Sequence, residues 1–318
     1  MKKILSLLSS IVTLILITNC FVGCKKNGSS TVFNTEKMYT LEQPGQIDNN
    51  LYLPKGTQWR YVSDKGTEVK FVLPKGYAFL MKNNTNGTYV IDPIGGGYSC
   101  TCSGKSGSCT VFNNKDVGYG CLQSNCSGSC TGTPTTNTKK IVGVLNIKNS
   151  SLDFVNSYER ASLSEEGIAA LLHLPEVQQS IRDYYDLLYT GLEKPDFENV
   201  DVTQLSKGMK VLKGQIYGFQ IALLINKNVQ QHIKSNMTNV FARNPMAGLA
   251  LMNNTTSKYL ETFTQKVMTE DPNPPSITCT CSNGSRGGSC EVQSKGAFGY
   301  KVYYCTGCTT CTMNNSNN

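Results

Sequence analysis

Apolar residues change their spacing several times along this chain, and each change predicts a different element. Ile4 to Ile17 is an apolar run of 14 residues, softened by Ser6, Ser9, Ser10 and Thr13 and preceded by Lys2-Lys3. It is too short to span a bilayer as a helix and has the length and flanks of a secretory signal. Residues 24–40 are mostly polar and predict a flexible tether. From 41 to 94 the pattern predicts β-structure. Leu53-Pro54-Lys55-Gly56 and Leu73-Pro74-Lys75-Gly76 are near-identical turn signals. Each precedes an aromatic-rich strand, Trp59–Val62 and Tyr77–Met81. Glu68–Leu73 opens with period-2 alternation, and Thr88–Ile91 predicts a further strand.

Beyond Cys130 the run Thr131–Thr138 is Thr-, Gly- and Pro-rich, so 132–140 is expected to be a linker. Ile141–Ile147 predicts one more strand. The apolar spacing then turns helical. Ser162 and Glu165, three apart, form a capping box opening a helix through Ile168, Leu171 and Leu172. Pro175 starts a second helix with Val177, Ile181, Tyr184, Tyr185 and Leu188 on one face. Leu205, Met209, Leu212, Ile216, Phe219 and Leu223 step by 4-3-4-3-4, the seam of a helical bundle. Gly214, Gly218 and Ala222 add a row of small residues beside it, and the helix is expected to continue through Val229, Ile233 and Val240. A fourth helix starts near Pro245, carries Leu249, Met252, Tyr259, Leu260, Phe263 and Val267, and is stopped by Asp271-Pro-Asn-Pro-Pro275.

Twelve cysteines interrupt these patterns in two copies of one array. The first is Cys100, Cys102, Cys109, Cys121, Cys126 and Cys130; the second is Cys279, Cys281, Cys290, Cys305, Cys308 and Cys311. Both open Cys-Thr-Cys-Ser, pass a Gly/Ser turn to Gly-Ser-Cys, then reach Gly-Tyr and three closing cysteines. A segment so rich in Gly, Ser, Thr and Asn buries too little apolar surface to order itself, and disulfides offset that deficit. The expectation is a duplicated module stapled by three disulfides per copy, with fifteen pairings open in each.

Cys20 and Cys24 stand apart. Phe21-Val22-Gly23-Cys24 followed by Lys25-Lys26-Asn27-Gly28-Ser29-Ser30 resembles the lipobox of a bacterial lipoprotein, although Phe21 stands where Leu or Val is usual. The resemblance covers about the first 30 residues. It implies cleavage before Cys24 and acyl chains on that cysteine, so that membrane lipid becomes a partner through an N-terminal anchor. Several acyl chains make a stable attachment where one is marginal. Cys20, after Asn19, is a less favoured second candidate.

The modules also admit sharper chemistry. Cys305-x₂-Cys308-x₂-Cys311 resembles the start of a bacterial ferredoxin cluster motif, but Thr312-Met313-Asn314-Asn315 stands where the fourth cysteine and proline would follow. A thiolate-only zinc site is the other metal reading, and Cys305-Thr306-Gly307-Cys308 the redox one. The opening Cys-x-Cys-x₆₋₈-Cys resembles small bacteriocin peptides of the fulvocin type over half a module, which implies a toxin-like alternative.

Composition narrows the rest. Hydrophobic residues are 39% and the formal charge of +8 is scattered, with only pairs such as Lys139-Lys140. A nucleic-acid binder concentrates its basic residues on one face or arm, so no nucleic-acid partner is expected. His173 and His232 are the two histidines, both on expected helices, and Glu165-Glu166 and Asp183/Asp186 fall at capping or solvent positions. No catalytic signature is found. Trp59, Tyr61, Tyr77, Tyr89, Tyr98 and Tyr119 gather around the first module, as a ligand-contacting surface or as β-core.

The sequence therefore predicts an α+β multidomain chain. Its order is signal peptide 1–23, tether 24–40, β-rich segment 41–94, first Cys-rich module 95–131, linker 132–140, strand plus helical bundle 141–271, and second module 276–312. The expected role is structural or binding rather than catalytic, in the cell envelope at an outer membrane or cell surface, with no cofactor and with an envelope or extracellular protein or glycan as ligand.

Overall fold

The structure is a computed structural model. It describes residues 32–115, 117–136, 138–148, 150, 152, 160–189, 191–226, 229, 275–281, 289–297, 300–307 and 311–316. Asn34–Asn318 form one unit; Met1–Phe33 form another, of which Val32 and Phe33 are described.

The strands are β1 (Tyr39–Thr40), β2 (Gly45–Asp48), β3 (Leu51–Leu53), β4 (Gln58–Tyr61), β5 (Glu68–Val72), β6 (Tyr77–Asn83), β7 (Tyr89–Asp92), β8 (Gly96–Cys102), β9 (Cys109–Asn114), β10 (Gly118–Gln123), β11 (Cys130–Thr136), β12 (Lys139–Asn146) and β13 (Ser162–Leu163). Helices α1 (Glu165–His173) and α2 (Pro175–Leu188) follow. Then come β14 (Met209–Ile216), β15 (Phe219–Asn226), β16 (Ser276–Cys281), β17 (Glu291–Ala297), β18 (Tyr300–Thr306) and β19 (Cys311–Ser316). A nine-stranded antiparallel sheet runs β1-β4-β5-β8-β11-β12-β6-β7, with β13 added on β12. The second large sheet is β14-β15-β18-β17. The pairs β2–β3, β9–β10 and β16–β19 stand as separate two-stranded sheets.

Local chemistry explains the N-terminal half. In β4, Trp59 and Tyr61 are buried between exposed Gln58 and Arg60; in β5, Val69 and Phe71 are buried. That is period-2 alternation with one wet face. The two Leu-Pro-Lys-Gly repeats each close a turn, Thr57 N–H donating to Pro54 O and Tyr77 N–H to Pro74 O, both at 3.2 Å. In contrast β6 and β12 are buried on both faces, from Tyr77 to Met81 and from Ile141 to Asn146. Leu80, Val142 and Leu145 thereby join the core that packs α1 and α2 against β14 and β15.

The helical-bundle expectation is overturned. Among the described residues the fold is mostly β, with 49% in strands and 12% helical, and α1 and α2 are the two α-helices there. Both were legible in the sequence. The N-cap of α1 is Ser164, whose side chain accepts from Gly167 N–H. Ser162, expected as the cap, pairs instead in β13 with Val144. On α2 the face Val177, Ile181, Tyr185 and Leu188 is buried as expected.

The expected third helix is a β-hairpin. Met209 pairs with Asn226 through to Ile216 with Phe219, and the turn is Tyr217-Gly218. Both turn residues have positive φ, 51° and 79°, the geometry of a tight turn matching strand twist. The 4-3-4 spacing misled because a strand buried on both faces is apolar at most positions, so any period finds matches. Val211, Ile216, Ile221 and Ile225 are the β-branched signal that favours strands. The expected linker also differs: 132–140 falls on β11 and β12, whose Thr135 pairs with Lys140. The continuation through Ile233 and Val240 and the fourth helix lie outside the described residues.

The hairpin sets a test with opposite signs. Gly218→Ala would stabilise a helix by about 1 kcal/mol. At φ 79° it is expected to cost about 1–2 kcal/mol instead. The urea midpoint of the oxidised protein should therefore fall; a rise would contradict the hairpin.

Candidate functional site

Each cysteine module is a strand pair facing a hairpin. In the first, β8 and β11 pair with Cys102 opposite Cys130, and β9 and β10 form the hairpin between them in sequence. Cys100 and Cys102 lie two apart on one strand and so face the same side. Neither bonds its ladder neighbour. Cys100 joins Cys121 of β10, Cys102 joins Cys126 in the loop after β10, and Cys109 of β9 joins Cys130 of β11. All three disulfides cross from the pair to the hairpin or its trailing loop, linking first to fourth, second to fifth and third to sixth cysteine.

The second module repeats this arrangement. β16 and β19 pair with Cys281 opposite Cys311, the equivalent register, and β17 and β18 form the hairpin. Cys279 joins Cys305, and Cys290 joins Cys311. Cys281 is also disulfide-bonded. Its counterpart by order is Cys308, which lies outside the described residues.

Gly and Ser abound here because two loops approach closely. Ser103 N–H donates to Ser129 O at 3.0 Å and Ser108 N–H to the Asn125 side chain at 2.7 Å. A Cβ on Gly107 would sit 1.8 Å from Asn125 O, so only glycine fits. Aromatic packing then fixes the first hairpin to the large sheet. Tyr119 of β10 meets Phe71 at 5.0 Å, Trp59 at 5.7 Å and Tyr98 at 6.0 Å between ring centres. Burial raises the Tyr119 phenol. Trp59, Tyr61, Tyr77, Tyr98 and Tyr119 are all buried, so this cluster is core; Tyr89 is half-buried.

Adjacent disulfides bring Cys102, Cys109 and Cys126 sulfurs within 4.8 Å of one another, and likewise Cys281, Cys290 and Cys311. A metal takes thiolates, whereas all six of these sulfurs are disulfide-bonded. Their proximity is that of neighbouring disulfides.

Beside the second module lies a cleft of about 560 Å³, within the size range of small-ligand sites. Its floor is apolar: Leu53 from β3, Val144 from β12, Leu163 from β13, Ile168 from α1 and Met313 from β19, all buried. Cys305, Thr306, Gly307 and Cys311 supply one wall, and Phe219 and Gln220 at the start of β15 another. Exposed Lys55, Arg160 and Glu165 sit at the mouth. Ser162 ties two of these elements together, accepting from Tyr52 N–H at 2.7 Å and donating to Asn50 O at 3.1 Å. The Arg160 guanidinium donates to Thr312 Oγ1 at 3.2 Å and so reaches β19. Composition did not signal this cleft, because its residues come from eight separated stretches of chain.

Helix α1 is held in the wall by charge. Glu166 accepts from Lys82 at 2.6 Å, Lys140 at 3.2 Å and the Tyr89 hydroxyl at 3.2 Å. The Lys82 contact, opposed by partial burial and helped by Lys140, holds the Glu166 carboxyl below the usual carboxylate range. Lys139, the neighbour of Lys140, pairs with Asp92 at 3.4 Å. The one basic pair the sequence singled out is thus spent on structural ion pairs.

His173 closes α1 and meets the Lys295 amine, whose charged form burial disfavours. Asp183 accepts from Gln179 at 2.6 Å, and Asp186 pairs with Lys194. His232 and Cys24 lie outside the described residues. No helix among the described residues is long and apolar enough to cross a membrane. Comparison with known proteins gives no matching family model, no matching curated protein and no matching solved structure.

Two outcomes follow. Proteolysis without reduction, read by mass spectrometry, should give the pairs described above together with Cys281–Cys308; a Cys281–Cys290 link would break the repeat. The depressed Glu166 carboxyl contributes stability above the ordinary carboxylate value, and loses it as pH falls through the lowered one. Glu166→Gln should therefore lower stability at pH 7, by at most about 1 kcal/mol for a partly exposed group, and the difference from wild type should shrink in urea titrations as pH falls below the ordinary carboxylate range.

Proposed function

We propose that this chain is a lipid-anchored protein of the cell envelope that works by binding, with Cys24 as the acylated residue and the two six-cysteine modules as oxidised scaffolds. The observation that carries the reading is the shared pairing order of the two modules. Two diverged arrays keep first-to-fourth and third-to-sixth disulfides in the same strand register. Disulfides on this scale persist in oxidising, extracytoplasmic space. The lipobox-like segment supports the anchor, and the cleft beside the second module supports a binding role, with an envelope or extracellular molecule as ligand. Metal–thiolate chemistry requires free thiolates that the observed pairing leaves to none of the bonded cysteines.

The test is to purify the mature protein from the envelope of its host, alkylate it under denaturing, non-reducing conditions, and measure intact mass and bound metal. The expected result is a mass that includes acyl chains, six disulfides, no alkylated thiol and no stoichiometric metal. Cys24→Ala should lose the acyl mass and label from radioactive palmitate. Alkylated module cysteines carrying stoichiometric zinc or iron would replace the scaffold reading with a metal site. An unacylated, soluble wild-type product would remove the anchor.

A further inference from the structure

The two modules repeat one fold but are used differently. In the first, β8 and β11 are internal strands of the nine-stranded sheet, flanked by β5 and β12. In the second, the pair β16–β19 joins no larger sheet among the described residues, and its module presents Cys305, Thr306, Gly307, Cys311 and Met313 to the cleft. The first copy is built into the body; the second forms a wall of the 560 Å³ cleft.

That cavity has a polarity. Its accessible apolar lining is partly exposed Tyr52, Pro54, Ala161 and Phe219, backed by buried Leu53, Val144 and Met313, and offers apolar contact to the body of a small ligand. Its charged groups are confined to the exposed mouth, where Lys55 and Arg160 outnumber Glu165. Apolar surface selects a ligand body without fixing its direction, whereas a cationic rim selects an anionic end left at the water boundary. A fully polar ligand would leave this apolar lining without a partner. A cation would meet two like charges.

We propose that the cleft binds an amphipathic organic anion, an aliphatic or aromatic body with one carboxylate or similar group held between Lys55 and Arg160, and that the second cysteine module serves as its wall. The proposal rests on the binding role proposed above and specifies its ligand class. The second module's disulfides then set the ligand site directly, because Cys305 and Cys311 are both wall residues and disulfide-bonded. None of the cleft's lining residues belongs to the first module.

The full chain, reconstituted in phosphatidylcholine nanodiscs with empty discs as blank, is dialysed to equilibrium against radiolabelled octanoate, with 1-octanol and octylamine as competitors. Octanoate should bind at one site per chain and be displaced poorly by either competitor. Lys55→Glu and Arg160→Glu should each weaken octanoate by about three- to tenfold, as one exposed or partly exposed ion pair allows, and leave octanol unchanged. Lys55 is exposed, so its variant is expected to fold; intact disulfides by mass confirm that for both. If octanol competes as well as octanoate, or both variants bind like wild type, the anionic class falls while a binding role stands. If neither octanoate nor octanol binds a correctly oxidised chain, the cleft is no ligand site and the binding role falls with it, whereas the disulfide and acyl results stand on their own.

Discussion

Disulfides that fasten a two-stranded sheet to a larger one are the constraint on which both cysteine modules depend. Within each module the strand pair and the hairpin share no hydrogen-bonded ladder among the described residues. The two-stranded member, β9–β10 in the first module and β16–β19 in the second, is marginal alone in water. Sequence separations of 21 to 26 residues between partners give each disulfide about 3 kcal/mol in the chain-entropy account. That substitutes for the apolar burial that Gly, Ser and Thr cannot provide. The same composition lets the loops touch backbone to backbone, as Gly107 does against Asn125.

What surrounds the modules is held more conventionally, by aromatic and aliphatic packing. Tyr119 carries the first hairpin into the large sheet. On the other side Tyr185 of α2 stacks on Tyr300 of β18 at 3.9 Å and donates its hydroxyl to Leu224 O at 2.8 Å. Tyr303 donates to Val200 O at 2.7 Å, and burial pushes its phenol up to about 12. A buried tyrosine needs such a partner for its hydroxyl. These contacts fasten the second module's hairpin to α2 and β15, while its outer pair is left to border the cleft. The duplicated unit thus gains two roles from its surroundings.

Charge has a subordinate part. Glu166 gathers Lys82, Lys140 and Tyr89 and so orients α1, whose next-door Glu165 and Ile168 belong to the cleft. Partly exposed pairs of this kind contribute little to stability. Their consequence is placement: they fix which end of α1 meets the cavity.

Several features were determined by the sequence alone. The duplication, the early strands with their Leu-Pro-Lys-Gly turns, α1 and the buried face of α2 all follow from patterns that are local, where neighbours along the chain decide the outcome. The hairpin at Tyr217-Gly218 was not legible, because a strand covered on both faces loses the period-2 signal and its run of apolar residues satisfies helical spacing equally well. The 132–140 stretch failed for the related reason that its Thr-rich chain becomes a strand only when β8 and β6 offer edges to pair with. Pairing order among the cysteines and the existence of the cleft were decided by tertiary structure alone. A disulfide joins residues that the fold brings to about 5.7 Å between Cα atoms, and a cavity is the space between elements distant in sequence. Neither quantity is written in the spacing of residues along one chain.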